Sequence, residues 1–237
     1  MNVIECSNCK TSNSILNPKC KKCGSFLQSR VANLNLYETV WEVLEKPKET
    51  FIKICLSEQK NYVFLLFAIT GLGLIFTAYW YAGIGNSYTN LLYLLLPALV
   101  IGPVTGFILF YLFTYLAYHI SKKLFKSDVT LRNLRAVTAY SLVPAVFATL
   151  FILPAELIVF GLYFFTKNPP PHLYKPEAYY VLISLDALSI LSSLFLFYIG
   201  IKLANNLEKG KAIILVTLLI ILFALLTIIP MELLKII

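Results

Sequence analysis

Apolar positions along this chain gather into runs too long for the helices of a soluble core. Five stretches of about 18 or more nearly uncharged residues stand out: Tyr62–Ala82, Leu91–Tyr118, Val137–Phe165, Tyr179–Leu203 and Ala212–Leu226, the last continuing weakly to Leu234. Counting that continuation, each is long enough to cross ~30 Å of hydrocarbon as a helix rising ~1.5 Å per residue. The ~10-residue alternating segments of a spanning β-barrel are absent from the pattern. The expected fold class is therefore an all-α integral membrane protein with five transmembrane helices and a small N-terminal module.

Ahead of the first run the pattern changes. Leu36–Leu56 mixes Leu36, Val40, Trp41, Leu44, Phe51, Ile52 and Cys55 with Glu38, Glu42, Glu45, Lys46, Lys48 and Glu49. Pro47 interrupts it, which predicts two short amphipathic helices. Their apolar faces either lie on the membrane surface or pack against the loops on that side. Residues 29–35 read as a short linker. The expected domains are 1–30 as a metal-binding ribbon, 31–61 as linker and amphipathic segment, and 62–237 as the membrane domain.

Composition agrees with the pattern. Of 237 residues, 59% are hydrophobic and only 14% charged, and the mean hydropathy is +0.77. A soluble globule of this size needs many more charges to cover its surface. Met1–Arg30 is polar and has no apolar core of a signal peptide.

Charge then sets an expected orientation. Nine Lys or Arg precede the first span, none lie in Gly83–Asn90, and five follow the second span. Two follow the third, three the fourth, and the tail has one. With the N-terminus cytoplasmic and the C-terminus outside, 17 of the 20 basic residues fall on the cytoplasmic side, as the positive-inside rule requires. The expected location is the cytoplasmic membrane. The net charge of +8 then follows from topology, with membrane lipid head groups as its counter-surface and no nucleic-acid partner implied.

The N-terminal segment reads Cys6-Ser-Asn-Cys9 and, after ten residues, Cys20-Lys-Lys-Cys23-Gly24. Two Cys-x-x-Cys pairs place four thiolates around one tetrahedral ion. The segment has few apolar groups to fold around, so it needs a staple, which in a reducing cytoplasm is a metal rather than disulfides. The expected cofactor is structural Zn2+ held by Cys6, Cys9, Cys20 and Cys23. With no ligand position left open, catalysis at the metal is not expected. Cys55 stands apart and reads as a small buried apolar residue.

Within the spans, Gly102 and Gly106 are spaced for close helix contact. Pro144 and Pro154 predict a kinked third span that breaks at the second proline. Glu156 and Asp186 are the two intramembrane carboxylates. Counted along antiparallel spans from the outer face, they lie at similar depth, roughly 10–13 Å in. With no Lys, Arg or His at that level, they should face the bundle interior or water, at least one carrying a proton. They form either a polar pocket, ion path or proton relay, or a hydrogen bond that pins helices together. His119 and His172 fall at opposite ends and cannot share a metal. The sequence carries none of the common catalytic or nucleotide-binding motifs, and the expectation is a non-enzyme.

Three stretches resemble the YIP family of five-span membrane proteins. Trp41-Glu-Val-Leu-Glu-Lys-Pro47-Lys-Glu-Thr50-Phe51 is similar to the approach to its first span. Arg135-Ala-Val-Thr-Ala-Tyr140-Ser141-Leu142-Val143-Pro144 is similar to its Tyr-Ser-Leu…Pro signature. Leu185-Asp186-Ala-Leu-Ser189-Ile190, then Gly200, then Lys209-Gly210-Lys211-Ala212, is similar to its closing pattern. Tyr140, Pro144, Asp186 and Gly200 are the motif residues so marked. The resemblance spans roughly 36–226 and implies roles in membrane organisation, trafficking or adaptor assembly. The resulting expectation is a multi-pass scaffold or adaptor without turnover, whose ribbon docks a cytoplasmic or membrane protein partner. Homo-oligomer contacts would form in the membrane. The alternative is a small transporter or channel using Glu156 and Asp186.

Overall fold

A computed structural model of the chain describes residues 3–28 and 33–234; residues 29–32 of the expected linker lie outside the described residues. The N-terminal segment is a small hairpin. Strands β1 (Val3–Glu5) and β2 (Ser12–Ser14) pair antiparallel, with Ile4 opposite Asn13. Among the described residues, those from Leu36 to Leu234 are helical or lie in short connections.

The amphipathic segment forms the two predicted helices. Helix α1 (Leu36–Glu45) starts at Asn35, whose side chain accepts from the Glu38 amide, and α2 (Pro47–Leu56) starts on the proline that ended α1. Five further helical stretches are long and apolar enough to cross a membrane: Val63–Ala82, Leu91–Phe125, Val143–Phe165, Pro176–Ala204 and Lys209–Ile228. They fall on helices α3 (Val63–Ala82), α4 (Leu92–Phe125), α6 (Val143–Phe147) with α7 (Leu153–Phe160), α8 (Pro176–Ala204) and α9 (Lys209–Leu234). Large side chains point outward along them, as on α4, where Val100 is 69% and Leu96 60% exposed. A helix satisfies its own backbone, so such an apolar surface is stable in lipid.

The third span differs from its sequence outline. Val137–Ser141 does not open it but ends a separate helix, α5 (Leu131–Ser141), and the span proper begins at Val143. Leu142 leaves helical geometry (ψ 3°), and Pro144 restarts the helix in its first turn. Ahead of Pro154 the backbone widens into a π-helical stretch, Ala148–Ile152. Proline offers no amide to the carbonyl four residues back, and a π turn accommodates that gap without breaking the span. Helix α4, by contrast, runs 34 residues through Pro97 and Pro103.

The chain folds into two compact units. One comprises the N-terminal segment through Val63, with Thr114–Ser141 and Phe195–Ile220. In it Phe51 and Ile54 of α2, Leu134 and Val137 of α5 and Ile201 of α8 are fully buried. The other comprises Phe64–Phe113, Leu142–Leu194 and the chain from Ile221. Here Phe76, Leu94, Ala98, Phe160, Phe164 and Phe165 form a shared apolar cluster, and α3 crosses α4 at Gly71, Gly102 and Gly106.

Candidate metal centre and the carboxyl pair

The two Cys-x-x-Cys segments fold into near-identical knuckles. In the first, the Cys6 amide donates to Thr11 O (3.1 Å) and the Lys10 amide to Cys6 O (2.9 Å); in the second, Cys20 donates to Ser25 O (2.9 Å) and Gly24 to Cys20 O (3.0 Å). Each knuckle needs a left-handed residue directly after its second cysteine. Gly24 supplies it at φ 72° without strain, whereas Lys10 is held at φ 61°.

The knuckles bring the four Sγ atoms within 4.8 Å of one another. Cys6 and Cys23 approach to 3.5 Å, as do Cys9 and Cys20, and none of the four forms a disulfide. Four sulfurs at ~2.3 Å from a central ion would stand about 3.8 Å apart. The observed spacings bracket that edge, so the donor set fits a tetrahedral thiophilic metal. The surroundings favour thiolate at Cys6 and Cys20, whereas burial and the neighbouring Cys23 and Cys20 side chains raise the Cys9 thiol. The Ser25 hydroxyl lies 2.9 Å from the Cys6 sulfur, and with the Cys9 and Asn8 amides it pulls that thiol down to about 6. The Cys23 and Lys22 amides lower Cys20 as well.

Three supporting residues were not anticipated. Thr11 lies 3.3 Å from the Cys9 sulfur, and Ser25 serves Cys6 and Cys23. Buried Asn13 donates to Thr11 O and to the Cys20 sulfur, and accepts from the Lys21 amide. Thr11 and Ser25 were legible: each stands two positions after the second cysteine of its pair. Asn13 had no such signal, since only the fold brings its strand beside the second knuckle.

Cys55 is buried on α2, and desolvation pushes its thiol up to about 12. His119 meets the Tyr115 and Tyr118 rings edge-on, and His172 lies against Tyr179.

Glu156, in the first turn of α7 just beyond the π-helical stretch, is 2% exposed. Its carboxyl lies beside that of Asp186 on α8, near enough for the two to interact directly. Glu156 Oε1 has no hydrogen-bond partner among the described residues.

The other motif residues lie elsewhere. Tyr140 on α5 is fully buried and donates from its hydroxyl to Asn61 O (3.1 Å), just before α3. Gly200 on α8 packs so closely on Val137 and the Phe51 ring that a Cβ there would sit 2.5 Å from Val137 Cγ1 and 3.1 Å from Phe51 Cε1. Thus the segments containing Phe51, Tyr140 and Gly200, distant in sequence, build one junction of α2, α5 and α8. Pro144 restarts the third span, where Ser193 of α8 accepts from the next amide, Ala145 N (3.2 Å). Asp186 does not join the junction; it lies beside Glu156.

Five apolar helices behind a polar cysteine module define a multi-pass helical membrane protein. The chain matches the Yip1 domain across residues 41–229, most of its length, and it belongs to that family. No curated protein and no solved structure matches it.

Proposed function

We propose that the chain is a multi-pass scaffold or adaptor whose N-terminal module, closed around structural Zn2+, is a rigid docking knob for a protein partner. The observation that carries this reading is the donor set: four cysteine sulfurs within 4.8 Å, two from each of two matched knuckles. Such a site takes the whole coordination sphere of the ion, which stabilises a small fold and leaves no position for a substrate. The work of the protein is then binding rather than turnover. In this reading the module faces the cytoplasm, the C-terminus lies outside the cytoplasmic membrane, and copies of the chain contact one another through their spans.

The test is affinity capture from detergent, comparing the full chain with Cys6→Ser/Cys9→Ser and with a chain lacking residues 1–30. The expected result is one zinc per wild-type chain, a defined protein captured with it, and loss of both in the variants while insertion is unchanged. Equal capture with and without the module would overturn the docking role.

A second reading rests on a different observation: Glu156 Oε1, without a hydrogen-bond partner among the described residues, lies beside Asp186. Buried carboxyls inside a membrane domain are expensive and mark ion or proton paths. A small transporter or channel predicts flux across proteoliposomes that is lost in Glu156→Gln and in Asp186→Asn; no flux with either wild type or variants would remove this reading.

A further inference from the structure

Helix α1 carries two apolar faces, and the fold uses only one. Thr39 and Val43, one turn apart, are buried where α1 meets α2 and α5. Tyr37, Trp41 and Leu44, at i, i+4 and i+7, form a second stripe along the helix. They are 82%, 55% and 41% exposed. The charges flanking this stripe are tied within the helical hairpin. Glu38 and Glu42 pair with Lys53 of α2 at 2.7 and 2.9 Å. Glu45 accepts from the Trp41 indole at 2.7 Å. At the corner between the helices, Lys46 and Lys48 are exposed and have no carboxylate partner among the described residues.

We infer that the Tyr37–Trp41–Leu44 stripe of α1 lies in the lipid interface, seating the α1–α2 hairpin on the bilayer. Three features select lipid as the occupant. The first is continuity. Helix α2 is joined to the spanning helix α3 by residues 57–62 alone, a connection that reaches no more than about 20 Å. Helix α5, on which the hairpin packs, leads at once into the third span. The second is chemistry: Trp and Tyr on one helical stripe, each with an apolar body and a polar tip, are the side chains that favour the head-group level. The third is charge: Lys46 and Lys48, exposed and without a carboxylate partner among the described residues, offer anionic head groups two cations, whereas Glu38 and Glu42 already share Lys53. This inference does not depend on what the cysteine module binds.

The chain has two tryptophans, Trp41 and Trp80, so the stripe can be read optically in the full-length protein. Trp80→Phe leaves Trp41 as the sole emitter; the difference between wild type and Trp41→Phe isolates the same signal should Trp80→Phe fold poorly. The protein is reconstituted into phosphatidylcholine–phosphatidylglycerol vesicles containing lipids brominated either near the head group or near the chain end. The expected result is blue-shifted Trp41 emission, a large loss to the shallow bromines, a small loss to the deep ones, and protection from aqueous iodide. Quenching by iodide with no response to either lipid would place Trp41 in water and overturn the inference. Protection from both quenchers would place it under protein, a partner or a second copy, and would overturn it equally.

Discussion

Gly71 on α3 and Gly106 on α4 meet backbone to backbone: a Cβ on Gly106 would fall 2.6 Å from Gly71 Cα and 2.2 Å from Phe67 O. No side chain fits there. Close approach is how helices pack in lipid, where apolar side chains gain little by leaving their solvent. Gly106→Val should separate the helices and unstack Phe67 from Phe110, whose rings lie 4.8 Å apart. The expected loss is more than about 3 kcal/mol, read as a collapse of the monodisperse peak in thermal size-exclusion assays. Gly210→Ala, which meets nothing within 4 Å, is the control.

At the α2–α5–α8 junction the clash is with side chains, so it can be relieved. Gly200→Ala drives a methyl into Val137 Cγ1 and the Phe51 ring and should cost about 1–3 kcal/mol. Adding Val137→Ala removes the nearest obstacle. A double-mutant cycle on thermal stability should therefore show the pair less destabilised than the sum of the single changes.

Lys10 occupies the left-handed position that Gly24 fills in the matching knuckle. Lys10→Gly should stabilise the metal-bound module by up to about 1 kcal/mol, and Gly24→Val should weaken it by at least as much. Competition with a chelator reads both: slower zinc loss from Lys10→Gly, faster loss from Gly24→Val.

The five cysteines should titrate in three stages. Zinc-loaded protein in mild detergent is expected to resist maleimide. Chelation should release four reactive thiols, because metal removal frees Cys6, Cys9, Cys20 and Cys23 together. Cys55, buried and with its thiol pushed up to about 12, should react only after denaturation. Reaction of four thiols before chelation would show that no metal closes the module.

The hairpin of α1 and α2 should loosen at both extremes of pH. The Lys53 ammonium lowers the Glu38 carboxyl below its usual value, and Glu38 and Glu42 raise Lys53. A depressed carboxyl contributes stability above its unfolded pKa, near 4.3, and loses it as pH falls through the lower folded value. A raised lysine contributes below about 10.4 and loses it as pH rises through the higher folded value. Both groups reach water, so the effect is small and screened by salt. Hydrogen exchange of α1 amides, corrected for intrinsic rate, should be slowest between those limits, and Lys53→Met should flatten the profile.

Much of this was visible without a structure, for reasons particular to certain residues. The spans announce themselves because hydrocarbon demands an uninterrupted apolar run, whatever lies beside it. Pro47 separates α1 from α2 by its own covalent chemistry. The cysteine pairs are close in sequence, so each knuckle is local. Span three misled: Val137–Ser141 is apolar enough to enter the membrane, yet it belongs to α5, because Leu142 and Pro144 break the helix and the junction buries that end.

By itself, then, the sequence determined the membrane class, most of the helices and the four cysteines that could hold a metal, all of which depend on local pattern and spacing. Tertiary structure alone decided which residues meet. It placed Gly71 against Gly106, Gly200 against Phe51 and Val137, Asn13 against the Cys20 sulfur, and Glu156 beside Asp186. It also decided which face of α1 is spent on packing and which is left exposed. Helical periodicity shows that a face is apolar, but only the arrangement of neighbouring elements determines what covers it.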